Sequence, residues 1–231
     1  MKILDKAERA LNKAGRALAV NTRRSKLQNH DFTIISNTCV GGVITHYVGE
    51  QFRSPTVNMI IYEEQFITFC KHLKEYSACK VDKPTEEEAK QFASLNYPVG
   101  VLRGCDGLPN INLLFVHYKT FEEAKQKWEE RFKRVNYDDL YIIMDRGIEA
   151  SDEIIDAFHR MPYEHKVIFT HKADPERWPC SFKFDCYTPE KYRSGMLYDN
   201  IRRGLQTYAV MDEFDFVTWL NEGKIQRNPE F

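Results

Sequence analysis

Two kinds of apolar pattern alternate along the chain. Short continuous runs rich in β-branched residues read as buried strands, and stretches with apolar residues every three or four positions read as amphipathic helices. The runs are Phe32-Thr33-Ile34-Ile35, Val57 to Tyr62, Pro98 to Leu102, Ile111 to Val116, Leu140 to Met144 and Lys166 to Thr170. The helical stretches are Glu63 to about Cys79, Thr120 to Val135, Ser151 to Arg160 and Asp212 to Asn221. Thr120 with Glu123 has the form of a capping box, and Gly223 is a stop signal after the last helix. Val81 to Glu88 reads as a loop or helix start, and Asp174 to Pro189 as a long irregular loop. Strand–helix alternation predicts an α/β fold: a three-layer, mostly parallel sheet with helices on both faces.

The first run ends in Ser36-Asn37-Thr38-Cys39-Val40-Gly41-Gly42. A buried strand that stops at small polar residues and a glycine pair delivers its C-terminal end into a loop open to close backbone approach. In open α/β sheets that edge is where ligands bind.

Charge divides the chain. Residues 2–26 carry eight Lys/Arg against Asp5 and Glu8, whereas the net charge of all 231 residues is −1. Leu4, Ala7, Leu11, Ala14 and Leu18 share one face of this segment. It reads as a basic amphipathic extension over 1–28, ahead of an α/β domain over 29–231. Such a helix either rests on the domain or makes peripheral contact with anionic membrane. An acidic body excludes nucleic acid as the expected partner. No apolar run is long enough to span a bilayer, and the N-terminus lacks a secretory signal. The six cysteines form no CxxC pair, so reduced thiols in a cytoplasmic protein are expected, with peripheral placement on the inner membrane face.

Candidate chemistry collects at predicted strand ends: Ser36, Asn37 and Cys39, then His117, then Asp145 and Arg146, then His171. On a parallel sheet these ends share one edge. Cys39 with His117, oriented by Asp145, would suit acyl transfer, with amides near Gly41 and Gly42 as oxyanion donors. The other reading of Cys39 is a small buried thiol. Arg131 and Arg134 lie three apart on the strongest helix, beside Lys127, and two guanidinium forks suit a diphosphate. Trp128, one turn earlier, is either core or a stacking platform. The Gly41-Gly42 pair is neither a Walker loop nor a GxGxxG fingerprint, and no HExxH or GxSxG occurs. No cofactor and no metal site is expected.

Several strings together resemble one family. They are Asp31 to Gly42, Tyr47-Val48-Gly49 with Ser54-Pro55-Thr56-Val57, and His117-Tyr118-Lys119 followed by Glu123-Ala124, Trp128 and Arg131. The family is the bacterial domain of unknown function nineteen-nineteen, whose members are often described as exopolysaccharide-biosynthesis proteins. The likeness runs from about residue 31 to 222. It implies a compact α/β domain, a role in cell-surface polysaccharide assembly and motif residues Ser36, Asn37, Cys39, Gly41, Gly42, His117, Trp128, Arg131 and Arg134. Members commonly carry an acidic segment after the strand near Asp145; here it is the shorter Met144-Asp145-Arg146-Gly147. The combined expectation is a transferase using a nucleotide diphosphate sugar on a sugar or glycan. His117 or Asp145 would be the base, and Ser36, Asn37, Gly41, Gly42, Trp128, Arg131, Arg134 and Arg146 would hold the substrate. A cysteine-dependent acyltransferase or hydrolase, or a non-catalytic assembly partner, are the alternatives.

Overall fold

The computed structural model describes residues 17–147, 149–185 and 213–229. Residues 2–16 of the basic segment, Cys186 and the start of the last expected helix lie outside the described residues.

The first sheet is parallel throughout, in the order β1 (Thr33–Ser36), β5 (Leu140–Gly147), β6 (His165–Thr170), β7 (Ser181–Phe182). Its register pairs Thr33 with Leu140 and Ser36 with Ile143, then Tyr141 with His165 and Met144 with Ile168. Alternate residues feed two separate cores. Ile34, Tyr141, Ile143, Val167 and Phe169 join one, and Ile35, Ile142, Met144 and Ile168 the other. A parallel sheet covered on both faces needs this, which is why its strands read as unbroken apolar runs. The first core is filled from α2 (Val40–Tyr47) and α8 (Phe216–Glu222), and the second from α3 (Glu63–Lys71), α6 (Phe121–Phe132) and α7 (Asp152–His159).

A second sheet departs from expectation. β2 (Val81–Asp82), β3 (Val99–Leu102) and β4 (Ile111–Leu114) form a separate antiparallel sheet in that order. Only residues 103–110 separate β3 from β4, with Asp106 and Gly107 at positive φ in the turn. That is a hairpin connection, too short for the crossover a parallel pair needs. The expected strand at Val57–Tyr62 is not formed: Val57 and Asn58 lie in a turn, and the residues that follow join the two sheets. Ile60 pairs with Leu114 of β4, and the Ile61 amide donates to the Asn37 carbonyl at the end of β1 (2.9 Å).

Local signals place the helices well. The Thr120 side chain caps α6 by accepting from Glu123 N (3.1 Å), Ser151 caps α7, and Gly223 ends α8 in the left-handed region at φ 70°. The expected Glu63–Cys79 helix breaks at His72 into α3 and α4 (Leu73–Tyr76), and Glu86–Lys90 forms a short α5 capped by Thr85. Two further expectations are corrected. Cys79 and Cys105 form a disulfide, joining the end of α4 to the β3–β4 turn, so the cysteines are not all reduced; Cys39, Cys70 and Cys180 are free. And the loop after β6 contributes β7 to the parallel sheet.

The described part of the basic segment, a helix over 17–25 (α1), rests on the domain. The Arg23 guanidinium lies 3.6 Å from the Tyr47 ring centroid, Arg24 pairs with Glu50 (3.0 Å), and Val20 crowds Gly49. No helix among the described residues is long and apolar enough to cross a membrane.

Candidate functional site

The end of β1 is locked by its own side chains. The Asn37 side chain extends the β1–β5 ladder: Nδ2 donates to the Asp145 carbonyl (3.2 Å) and Oδ1 accepts from the Asp145 amide (2.7 Å). Ser36 Oγ donates to the Thr38 carbonyl (2.7 Å) and accepts from the Gly41 amide (3.1 Å). Gly41 and Gly42 are not loop residues but lie in the first turn of α2. A Cβ on Gly41 would come within 2.5 Å of Ser36 Oγ, and one on Gly42 within 3.0 Å of Val57 Cγ1. These four residues, expected to touch ligand, make their hydrogen bonds and close contacts within the fold, and so press the start of α2 onto the strand end and onto Val57.

Val57 gathers the next set of contacts. Its carbonyl accepts from the Tyr118 hydroxyl (3.0 Å) and from Arg131 Nη1 (3.3 Å), and the same Nη1 donates to Tyr118 Oη (2.5 Å). Arg131 is only 8% exposed. Its guanidinium faces neutral oxygens and the Phe52 ring at 5.6 Å, and no carboxylate among the described residues reaches it. Arg134 donates to the Phe52 carbonyl (3.4 Å), so the two arginines converge on the 52–57 segment, as their spacing implied. Asn58 follows at φ 67°, a left-handed conformation that asparagine tolerates better than most residues.

Cys39 is the N-cap of α2, with Sγ 4.0 Å from the Met59 carbonyl. Burial pushes its thiol up to about 11. A nucleophilic cysteine needs the opposite shift. Burial also raises the Tyr118 hydroxyl, against the pull of Arg131, and Cys39 is close enough to act on it. Cys39 and the Tyr118–Arg131 pair thus adjoin the same 57–59 segment, Cys39 at the Met59 carbonyl and the pair at the Val57 carbonyl, and α2 has no acidic residue in its first turn.

The structure divides the other expected residues. His117 is exposed on the turn after β4, a strand of the antiparallel sheet, and makes no hydrogen bond to Cys39 or Asp145. Its strand end does not belong to the shared edge, so the expected Cys39–His117–Asp145 constellation is not formed. Its neighbour Tyr118 points inward instead. In the sequence, the only signal that marks Tyr118 is its place inside the His117-Tyr118-Lys119 motif. Trp128 is 2% exposed and packs on Phe69 and Phe132 at ring-centroid distances of 5.7 and 5.0 Å, so it is core and not a stacking platform.

Asp145 lies beside Asn37 at the end of β5, and a register shift follows between Asp145 and Gly147. This irregularity sends Arg146 toward α3, where Nη1 meets Glu63 Oε1 (2.5 Å) and Nη2 donates to the Glu149 carbonyl (3.3 Å); Nε is buried with no partner among the described residues. Arg146 thus lines a groove of about 420 Å³ between the first turns of α3 and α7. His171 follows directly on β6.

With this geometry in view, similarity to known proteins gives the lineage. The family model "Domain of unknown function (DUF1919)" matches residues 10–221. The chain belongs to this family. The match begins well before residue 31, so most of the basic segment lies inside the family domain and not outside it. An uncharacterized protein of Haemophilus influenzae is 30% identical over 222 residues, covering 96% of this chain and 99% of its own length.

Proposed function

We propose that this member of the family is a transferase of cell-surface polysaccharide assembly that takes its sugar from a nucleotide diphosphate donor. The observation that carries the reading is Arg131, a residue more than nine-tenths buried whose partners among the described residues are all neutral. An ion withdrawn from water without a counter-charge is costly, and a bound anion supplies that charge. The first turn of α2 adds the positive end of a helix dipole, and Arg134 a second guanidinium at the exposed edge. The site is proposed to face the leaving diphosphate, on a three-layer domain. Asp145, at the neighbouring strand end, takes the role of base on the acceptor hydroxyl in place of His117. Contact of residues 2–26 with the inner membrane face belongs to the same proposal. The raised Cys39 thiol counts against the cysteine-dependent alternative.

Thermal unfolding with UDP, GDP and their common sugar conjugates, with and without magnesium, tests it. A donor at a hundred times its dissociation constant stabilises by about 2.7 kcal/mol, raising the midpoint by roughly 5–10 °C for a chain of this size. Arg131→Met, which keeps the buried volume, should remain folded and lose that rise. No rise with any of these nucleotides sinks the reading.

A further inference from the structure

We propose that the groove between α3 and α7 is a saccharide site that holds the acceptor. Tyr62, at the mouth of α3, is 45% exposed, one of two large apolar side chains so exposed among the described residues. It stands over a groove lined by the polar residues Glu63, Glu64, Gln65, Arg146 and Glu149 together with Ile154. An open ring beside carboxylates and an amide is the chemistry that takes a pyranose, whose C–H face lies on the ring while its hydroxyls are divided among acceptors and donors.

The polar groups are placed for that division. Arg146 anchors Glu63 and holds the Glu149 carbonyl, so the wall is ordered without ligand. Gln65 Oε1 accepts from the Asn112 amide (2.8 Å), and its NH2 group, with no partner among the described residues, can donate. The exposed Glu64 carboxylate has no partner among the described residues and can accept.

Charge excludes other occupants. Three carboxylates against one guanidinium repel a nucleotide diphosphate, so donor and acceptor are separated by sign: anion at Arg131, neutral polyol here. A metal ion is not favoured, because no group of three or more His, Cys, Asp or Glu among the described residues converges to hold one. The acceptor assignment rests on the donor reading above; the sugar-binding claim does not.

Saturation-transfer NMR with millimolar methyl glycosides of glucose, galactose, mannose and N-acetylglucosamine tests it. At least one glycoside should take up saturation, strongest on the ring C–H protons of one face. Tyr62→Ala should abolish the signal and Tyr62→Phe keep it. The Tyr62 side chain makes no capping hydrogen bond to α3, and the thermal midpoint of the variant checks that its fold is intact. Glu64→Gln should weaken the signal, and added UDP should leave it unchanged. Absence of saturation from every glycoside, or a signal that survives Tyr62→Ala, overturns the site. Saturation without any nucleotide-induced thermal shift overturns the donor reading and leaves the sugar groove standing.

Discussion

Gly41→Ala probes the closest approach in the candidate site. The new methyl would meet Ser36 Oγ at 2.5 Å, Ser36 Cβ at 3.0 Å and Ile34 Cγ2 at 3.1 Å. Two effects oppose each other. Alanine in place of glycine inside a helix gains about 1 kcal/mol. Forcing a methyl into a filled contact costs about 1–3 kcal/mol, and losing the buried bond from Gly41 N to Ser36 Oγ costs about 1 kcal/mol more. The net is a loss of about 2 kcal/mol, or roughly 4–8 °C in thermal midpoint for a chain of this length. Ser36→Ala separates the terms. Alone it strands the Gly41 amide and costs about 1–2 kcal/mol. In the Gly41→Ala background it removes the oxygen that collides, so the double variant should be about 1 kcal/mol more stable than the sum of the singles. Urea titration followed by tryptophan fluorescence reads all four proteins, since Trp128, Trp178 and Trp219 are all buried. A Gly41→Ala protein at least as stable as the parent, or strictly additive losses, would refute the claim that α2 is pressed onto the strand end through these atoms.

Two other outcomes follow from the same edge. Asn37→Ala removes both side-chain bonds to the Asp145 backbone and should cost about 2–4 kcal/mol in urea titration; a loss near zero would mean the ladder extension is not structural. Cys39 should resist iodoacetamide at neutral pH in the native protein, react in denaturant, and label faster as pH rises toward the value of about 11 imposed by burial. Peptide mapping distinguishes it from Cys70 and Cys180, and labelling at the rate of a free thiol would reopen the nucleophile reading.

Much of the fold was written locally. Thr120, Ser151 and Gly223 mark helix ends through bonds within a few residues, and the runs around Ile34, Ile142 and Ile168 declare strands buried on both faces. The short connection 103–110 also carried the antiparallel pairing of β3 with β4, because no crossover fits in it. The candidate site was legible in part. The spacing of Arg131 and Arg134 did bring both onto one segment, and Ser36 to Gly42 did mark the strand end where chain segments converge. His117 misled because a strand end promises a shared edge only when its strand belongs to the parallel sheet.

The sequence by itself determined where strands and helices start and stop, since caps, periodicity and turn residues act over a few positions. Only the tertiary structure decided that Val57 gathers Tyr118 and Arg131, that Trp128 faces the core, and that Cys79 meets Cys105. Those contacts join residues 13 to 74 positions apart. Partners at such separations are chosen by the packing of whole elements, and no short-range pattern encodes it. Arg131 shows the consequence: its charge is ordinary in sequence and becomes a candidate for chemistry only when folding buries it away from every carboxylate among the described residues.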